Sequence, residues 1–95
     1  MPPSPPQPTL DFYRRDGCEP CDEARLALQE VLEARARRGD RIPRVRYRNV
    51  VESPDLESEF GPRVPVFAIG GDQLSLTVSE RSIANFLDQV LGRMA

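Results

Sequence analysis

Histidine and lysine are absent from this 95-residue chain, and cysteine occurs only twice. Closed structural zinc normally takes four Cys or His ligands. This chain supplies half of such a set, so zinc would need a second subunit or carboxylates. With lysine missing, every positive side chain is an arginine, and no lysine ammonium can partner a thiolate. No run of about 18 apolar residues occurs, so the sequence predicts a soluble domain without a membrane span. Positive charge is not in excess either. A net charge of -2 and a pI near 5.1 argue against nucleic acid or an anionic membrane as the main partner. Internal repeats are lacking as well. At 39% hydrophobic, the chain suits one small domain with a modest core, expected as a monomer.

Proline, by contrast, is crowded at the start. Met1 to Pro8 holds five prolines and lacks the basic start and apolar stretch of a signal peptide. Such density disfavours helix and ladder bonding, so residues 1–8 are expected as an extended tail and 9–95 as the folded domain. Without an export signal the expected compartment is the cytoplasm, where a cysteine pair serves catalysis more often than structure.

Both cysteines fall in Cys18-Glu19-Pro20-Cys21. Leu10 to Tyr13 reads as a strand, Arg14 to Gly17 as a loop, and Glu19 to about Arg38 as a helix. That arrangement puts Cys18 at a helix N-terminus, where unpaired N–H groups and the dipole favour negative charge. The thiolate is the nucleophile of disulfide exchange. Cys21, one turn deeper, is close enough to bond to Cys18 and lies on the apolar stripe of Ala24, Leu28, Val31 and Leu32. Cys18 therefore reads as the attacking thiol and Cys21 as the resolving one. Neighbouring charges oppose one another. Glu19 disfavours a Cys18 thiolate, whereas Arg14 and Arg15 favour it.

The rest of the chain alternates in type. Arg44 to Val50 has the period of two of a strand, with Val45 and Tyr47 inward and Arg44, Arg46 and Arg48 on a solvated face. Ser53-Pro54-Asp55 opens a short helix that ends at Gly61-Pro62. Val64 to Ile69 is an apolar strand, Gly70-Gly71-Asp72 a hairpin turn, and Gln73 to Val78 a fourth strand. Ser79 caps a last helix with Ile83, Phe86, Leu87, Val90 and Leu91 on one face. The fold class is α/β, in the order β-α-β-α-β-β-α. It predicts a four-stranded mixed sheet with helices on both faces.

This order, with Cys-x-x-Cys opening the first helix, resembles the thioredoxin superfamily, and the short N-terminal half is similar to glutaredoxins. A second motif carries the resemblance: Val64-Pro65, leading into the third strand. In the superfamily a cis proline stands there beside the active-site disulfide. The resemblance implies a cis Val64-Pro65 bond and a Val64 backbone that pairs with an extended substrate strand. The motif also departs from its relatives. Glutaredoxins usually read Cys-Pro-Tyr-Cys and thioredoxins Cys-Gly-Pro-Cys. The Gly-Gly that approaches glutathione after the fourth strand of glutaredoxins is replaced by Ser75-Leu76-Thr77-Val78, which argues against glutathione as a ligand. Asp11 lies one residue too far from Cys18 to match the buried aspartate of thioredoxins, so it is not assigned as a base.

The resulting expectation is a thiol–disulfide oxidoreductase acting on a protein or small-molecule disulfide and reset by a dithiol reductant. No cofactor is expected beyond the Cys18–Cys21 pair itself. Two rivals stay open: a peptide-binding adaptor without turnover, and a dimer bridging a metal or iron–sulfur cluster through four cysteines.

Overall fold

Strand β1 (Thr9–Arg14) lies inside the sheet, hydrogen-bonded to a neighbouring strand on each side. The computed structural model describes residues 7–92. For residues 1–6, the expected tail lies outside the described residues. Gln7 and Pro8 are tied to the fold: the Gln7 side-chain amide donates to the Ile42 carbonyl, and Arg44 N–H donates to the Pro8 carbonyl.

The sheet has the order β2-β1-β3-β4. β2 (Arg44–Asn49) lies parallel to β1 in the register Thr9↔Arg44 to Arg14↔Asn49, a pairing that requires the helical crossover α1 (Glu19–Arg38). β3 (Val66–Ile69) is antiparallel to β1, with Tyr13 opposite Val66. β4 (Asp72–Ser75) returns antiparallel through the Gly70-Gly71 turn, with Val66 opposite Ser75. The mixed four-stranded sheet and the β-α-β-α-β-β-α order are those read from the sequence.

Strand alternation divides the core in two. On one face Leu10, Phe12, Phe67 and Ile69 meet Ala24, Leu28 and Val31 of α1 and Ile83, Phe86 and Leu87 of α3 (Glu80–Leu91). On the other, Tyr13, Val66 and Ala68 meet Phe60 of α2 (Pro54–Phe60) and Val50 from a single 3₁₀ turn, Val50–Glu52. The Tyr13 and Phe60 rings stack with centroids 3.8 Å apart. Burial raises the Tyr13 phenol above its usual range, and the Asp11 carboxylate adds to the shift.

Each helix begins and ends where its capping residues dictate. Ser53 and Ser79 side chains accept N–H bonds at the starts of α2 and α3. Gly39, at φ 80°, closes α1 in the left-handed conformation that glycine adopts without a Cβ penalty.

Three local expectations change. The third strand opens at Val66 instead of Val64. The fourth strand ends at Ser75 instead of Val78: Leu76 still donates to the Pro65 carbonyl, one step further in the register, but Pro65 has no N–H to return a bond and Leu76 itself turns to φ 59°. Tyr47 was expected inward. It packs edge-on against Phe12 from the α1 side, with centroids 5.8 Å apart, but β2 is an edge strand and half of the ring stays exposed. Of the β2 arginines, Arg46 is held on the other face by both Asp11 carboxylate oxygens, at 2.6 and 3.1 Å.

Candidate active site

β1 delivers the chain at Arg14 to a tight turn in which Gly17 takes φ 71°. Cys18 follows in an extended conformation, as the N-cap of α1. A cap residue normally offers a side-chain oxygen to the first unpaired N–H groups. Here sulfur takes that place: the Cys21 N–H donates to Cys18 Sγ at 3.2 Å. The Cys18 carbonyl meanwhile accepts from Asp22 N–H, starting the helical ladder. Cys18 and Cys21 form a disulfide with Cα atoms 5.2 Å apart. Their surroundings differ. Cys18 is partly open to solvent, whereas Cys21 is 1% exposed on the stripe that α1 turns to the sheet.

The arginines before the motif are both engaged by carboxylates. Arg14 reaches Asp16 at 3.0 Å. That bond, with a second from Asn49, holds the Asp16 carboxyl below its usual range. Arg15 forms a two-point pair with Glu57 of α2, one arm of it 2.9 Å long. The pair lowers the Glu57 carboxyl and raises the Arg15 guanidinium, in each case chiefly through the hydrogen bond itself. Gly61 explains why the two side chains can meet there, since a Cβ on Gly61 would run into the Glu57 carboxylate and the Arg15 guanidinium. Glu19, exposed at the first position of α1, has no cationic partner among the described residues.

The sheet register brings the second motif to the same end. Tyr13 is opposite Val66, and Val66 is opposite Ser75. One step further out, Arg14, Pro65 and Leu76 therefore stand side by side where β1 ends. The Val64–Pro65 peptide is cis. Pro65 is buried and Val64 half-buried, and Val64 lies before the first residue of β3.

The structure thus gathers Cys18, Cys21, Arg14, Arg15, Glu19, Val64 and Pro65 at one end of the sheet. It adds Asp16 and Glu57, which the sequence did not single out, and Leu76 from the segment that stands where glutaredoxins carry Gly-Gly. Glu57 is 42 residues from Arg15 in the chain, and no local pattern links them. Among the described residues, no group of three or more His, Cys, Asp or Glu side chains is placed to hold a metal ion. No described helix is long and apolar enough to cross a membrane.

Comparisons with known proteins agree with this geometry. The model of the glutaredoxin-like domain family (DUF836) matches residues 9–88, which include both cysteines and Val64-Pro65. A search of curated proteins gives no match. Among solved structures, the chain is similar to a structural-genomics target protein, XcR50, from X. campestris. Identity to it is 29%, with 85% of this chain and 97% of that chain covered, at a TM-score of 0.70. Thioredoxin 1 of Thermosipho africanus shares the fold at 15% identity, over 87% of this chain and 93% of that one, with a TM-score of 0.61. Mitochondrial thioredoxin 3 of Saccharomyces cerevisiae, in its oxidised form, does so at 19% identity over 88% and 79%, with a TM-score of 0.56.

Proposed function

Because the chain belongs to the glutaredoxin-like domain family, we propose a division of labour in which Cys18 attacks a substrate disulfide and Cys21 resolves the product. The protein is a thiol–disulfide oxidoreductase of the thioredoxin fold. The cap geometry carries the assignment of roles. Cys18 Sγ accepts an N–H at the helix start, which favours its thiolate, while Cys21 is buried among Ala24, Leu28 and Val31, which disfavours one.

In the reduced protein the Cys18 thiolate attacks one sulfur of the substrate. A Cys18–substrate disulfide forms, and the second substrate sulfur leaves as a thiolate that takes up a proton. Cys21, once deprotonated, then attacks Cys18 Sγ. The mixed disulfide breaks, the Cys18–Cys21 bond forms, and the first substrate sulfur leaves as a thiol after protonation. Two electrons have passed from the cysteine pair to the substrate. A dithiol reductant returns them. Val64, outside the β3 ladder and next to Pro65, offers its backbone N–H and C=O to an extended substrate segment. On this reading the protein works as a monomer in the cytoplasm, where such pairs are transient and catalytic, with neither nucleic acid nor glutathione as a required ligand.

Brief alkylation of the reduced protein at neutral pH, followed by peptide mapping, tests the assignment. Cys18 should be labelled first. Cys21→Ser should accumulate a mixed disulfide on Cys18, and Cys18→Ser should be inert toward disulfides. Labelling of Cys21 first, or at an equal rate, overturns the roles. Peptide binding without any disulfide turnover would instead identify an adaptor.

A further inference from the structure

β2 is an edge strand, paired with β1 on one side only. Arg44 N–H donates to the Pro8 carbonyl. Alternation therefore turns the backbone groups of Arg44, Arg46 and Arg48 toward β1 and those of Val45 and Tyr47 outward, where no strand lies. The side chains sort the other way, by face. Val45 and Tyr47 lie on the α1 side. There the half-exposed Tyr47 ring joins Leu28, Leu32 and Ile42 in lining an open groove of about 310 Å³. On the opposite face stand the three arginines. Asp11 holds Arg46, whereas Arg44 and Arg48 form no salt bridge among the described residues.

Charged side chains on an edge commonly block pairing with another chain. Here the block is selective. A second copy of this chain, added antiparallel on β2, would set arginine against arginine on one face, which is destabilising. Residues 1–6 include four prolines and no acidic side chain, so they can neither supply a ladder nor answer the arginines. An acidic strand meets neither obstacle. A purely protective edge would also have no use for an apolar groove on its other face.

We propose that the β2 edge is a docking surface for an extended polypeptide segment in which apolar and acidic residues alternate. The segment adds a fifth strand to the sheet, bonding to the outward N–H and C=O groups of Val45 and Tyr47. Its apolar side chains enter the groove beside Tyr47, and its carboxylates pair with Arg44 and Arg48. The period of two in a strand is what sends the two kinds of side chain to opposite faces. β2 ends at Asn49, opposite Arg14, so a partner docked there stands alongside the disulfide end of the sheet.

Three fluorescently labelled octapeptides test this on the full chain: alternating Glu and Val, alternating Lys and Val, and alternating Glu and Ser. By fluorescence anisotropy the Glu/Val peptide should bind, and more weakly as salt is raised. The other two should bind about tenfold more weakly, the order expected for two cross-strand pairs. Arg44→Glu combined with Arg48→Glu should reverse the preference in favour of Lys/Val. Amide exchange followed by NMR should slow at Val45 and Tyr47 on binding, while Arg46, already bonded to β1, keeps its rate. Oxidised and reduced protein should bind alike, because neither cysteine nor the Val64-Pro65 loop belongs to the edge. Failure of the Glu/Val peptide to bind at millimolar concentration overturns the proposal. So does equal binding of the Glu/Val and Lys/Val peptides, or no reversal in a double variant that unfolds in urea as wild type does. Val45 and Tyr47 amides already protected in the free protein would assign the edge to a second copy or to residues 1–6, and overturn it as well.

Discussion

At the residue scale, Glu19 acts in two opposed ways. A carboxylate in the first turn is favourable to the helix dipole, yet it adjoins the sulfur that must ionise. Glu19→Gln should therefore shift the pH profile of Cys18 alkylation to lower pH, by about half a unit or less, as befits an exposed charge. Because a stabilised thiolate stabilises the reduced form, the disulfide should become more oxidising in a thiol-buffer titration. The Arg15–Glu57 pair offers a second handle. Glu57→Gln leaves Arg15 without its carboxylate, and the alkylation profile should again move to lower pH. Gly61→Ala, which pushes a methyl group between the same two side chains, should shift it in the same direction. Opposite shifts from these two variants would show that Arg15 does not reach the field of Cys18.

At the scale of elements, the joint between α1 and α3 depends on one fully buried cation. Arg35 donates to the Arg41 carbonyl at 2.8 Å, to Asp88 at 2.9 Å and to the Gly92 carbonyl at 2.9 Å. It thus ties the last turn of α1 to the end of α3 and to the loop before β2. The planar guanidinium reaches three acceptors in different directions, which a lysine ammonium on a flexible stem cannot match. Arg35→Ala should cost about 1–3 kcal/mol in urea unfolding, since it removes the donor to two carbonyls and one of the contacts of Asp88, which keeps Arg38 at 4.0 Å. Arg35→Lys should recover only part of that. Caps are smaller terms: Ser79→Ala should cost about 1 kcal/mol, read from the same transition. The loss at Arg35 should leave the Cys18 alkylation profile in place, because Arg35 lies in the last turn of α1, at the far end of that helix from the disulfide.

For the whole molecule, the pH range of stability follows from groups on β1, in the β1–α1 loop and on α2. Asp16 and Glu57 have folded-state pKa values below their ordinary ones. Their contribution is present above the unfolded values, about 4, and is lost as pH falls through the folded ones. Tyr13 is shifted upward by burial, so its contribution is present below about pH 10 and is lost as pH rises through its folded pKa. Thermal melts should show a plateau between these limits. Glu57→Gln should flatten the acid limb and Tyr13→Phe the alkaline limb. An acid limb unchanged by Glu57→Gln would mean that the pair joining the β1–α1 loop to α2 adds nothing to stability.

Periodicity and punctuation in the chain determine its elements and their order. Alternation on β1 sends Leu10 and Phe12 to one core and Tyr13 to the other, and the 3.6-residue stripe on α1 carries Cys21 inward with Ala24 and Leu28. Arg35 continues that stripe, four residues beyond Val31, so its burial was legible in the spacing though not in its charge. Cys18, Cys21 and Val64-Pro65 were legible because short motifs carry them. Pairings across the chain were not. Arg15 meets Glu57, and Leu76 meets Pro65, only because the sheet register and the two-sided packing bring distant segments to one end. A long-range contact depends on where whole elements dock, and no periodicity within a segment encodes that. The shortening of β4 has the same origin: Gln73 to Val78 has the composition of a strand throughout, but its partner Pro65 offers a carbonyl and no N–H, and the chain turns at Leu76. Local patterns thus sufficed to place the disulfide at a helix start. The charges and the apolar side chain that surround it were decided by tertiary structure, because each reaches the site from a separate element.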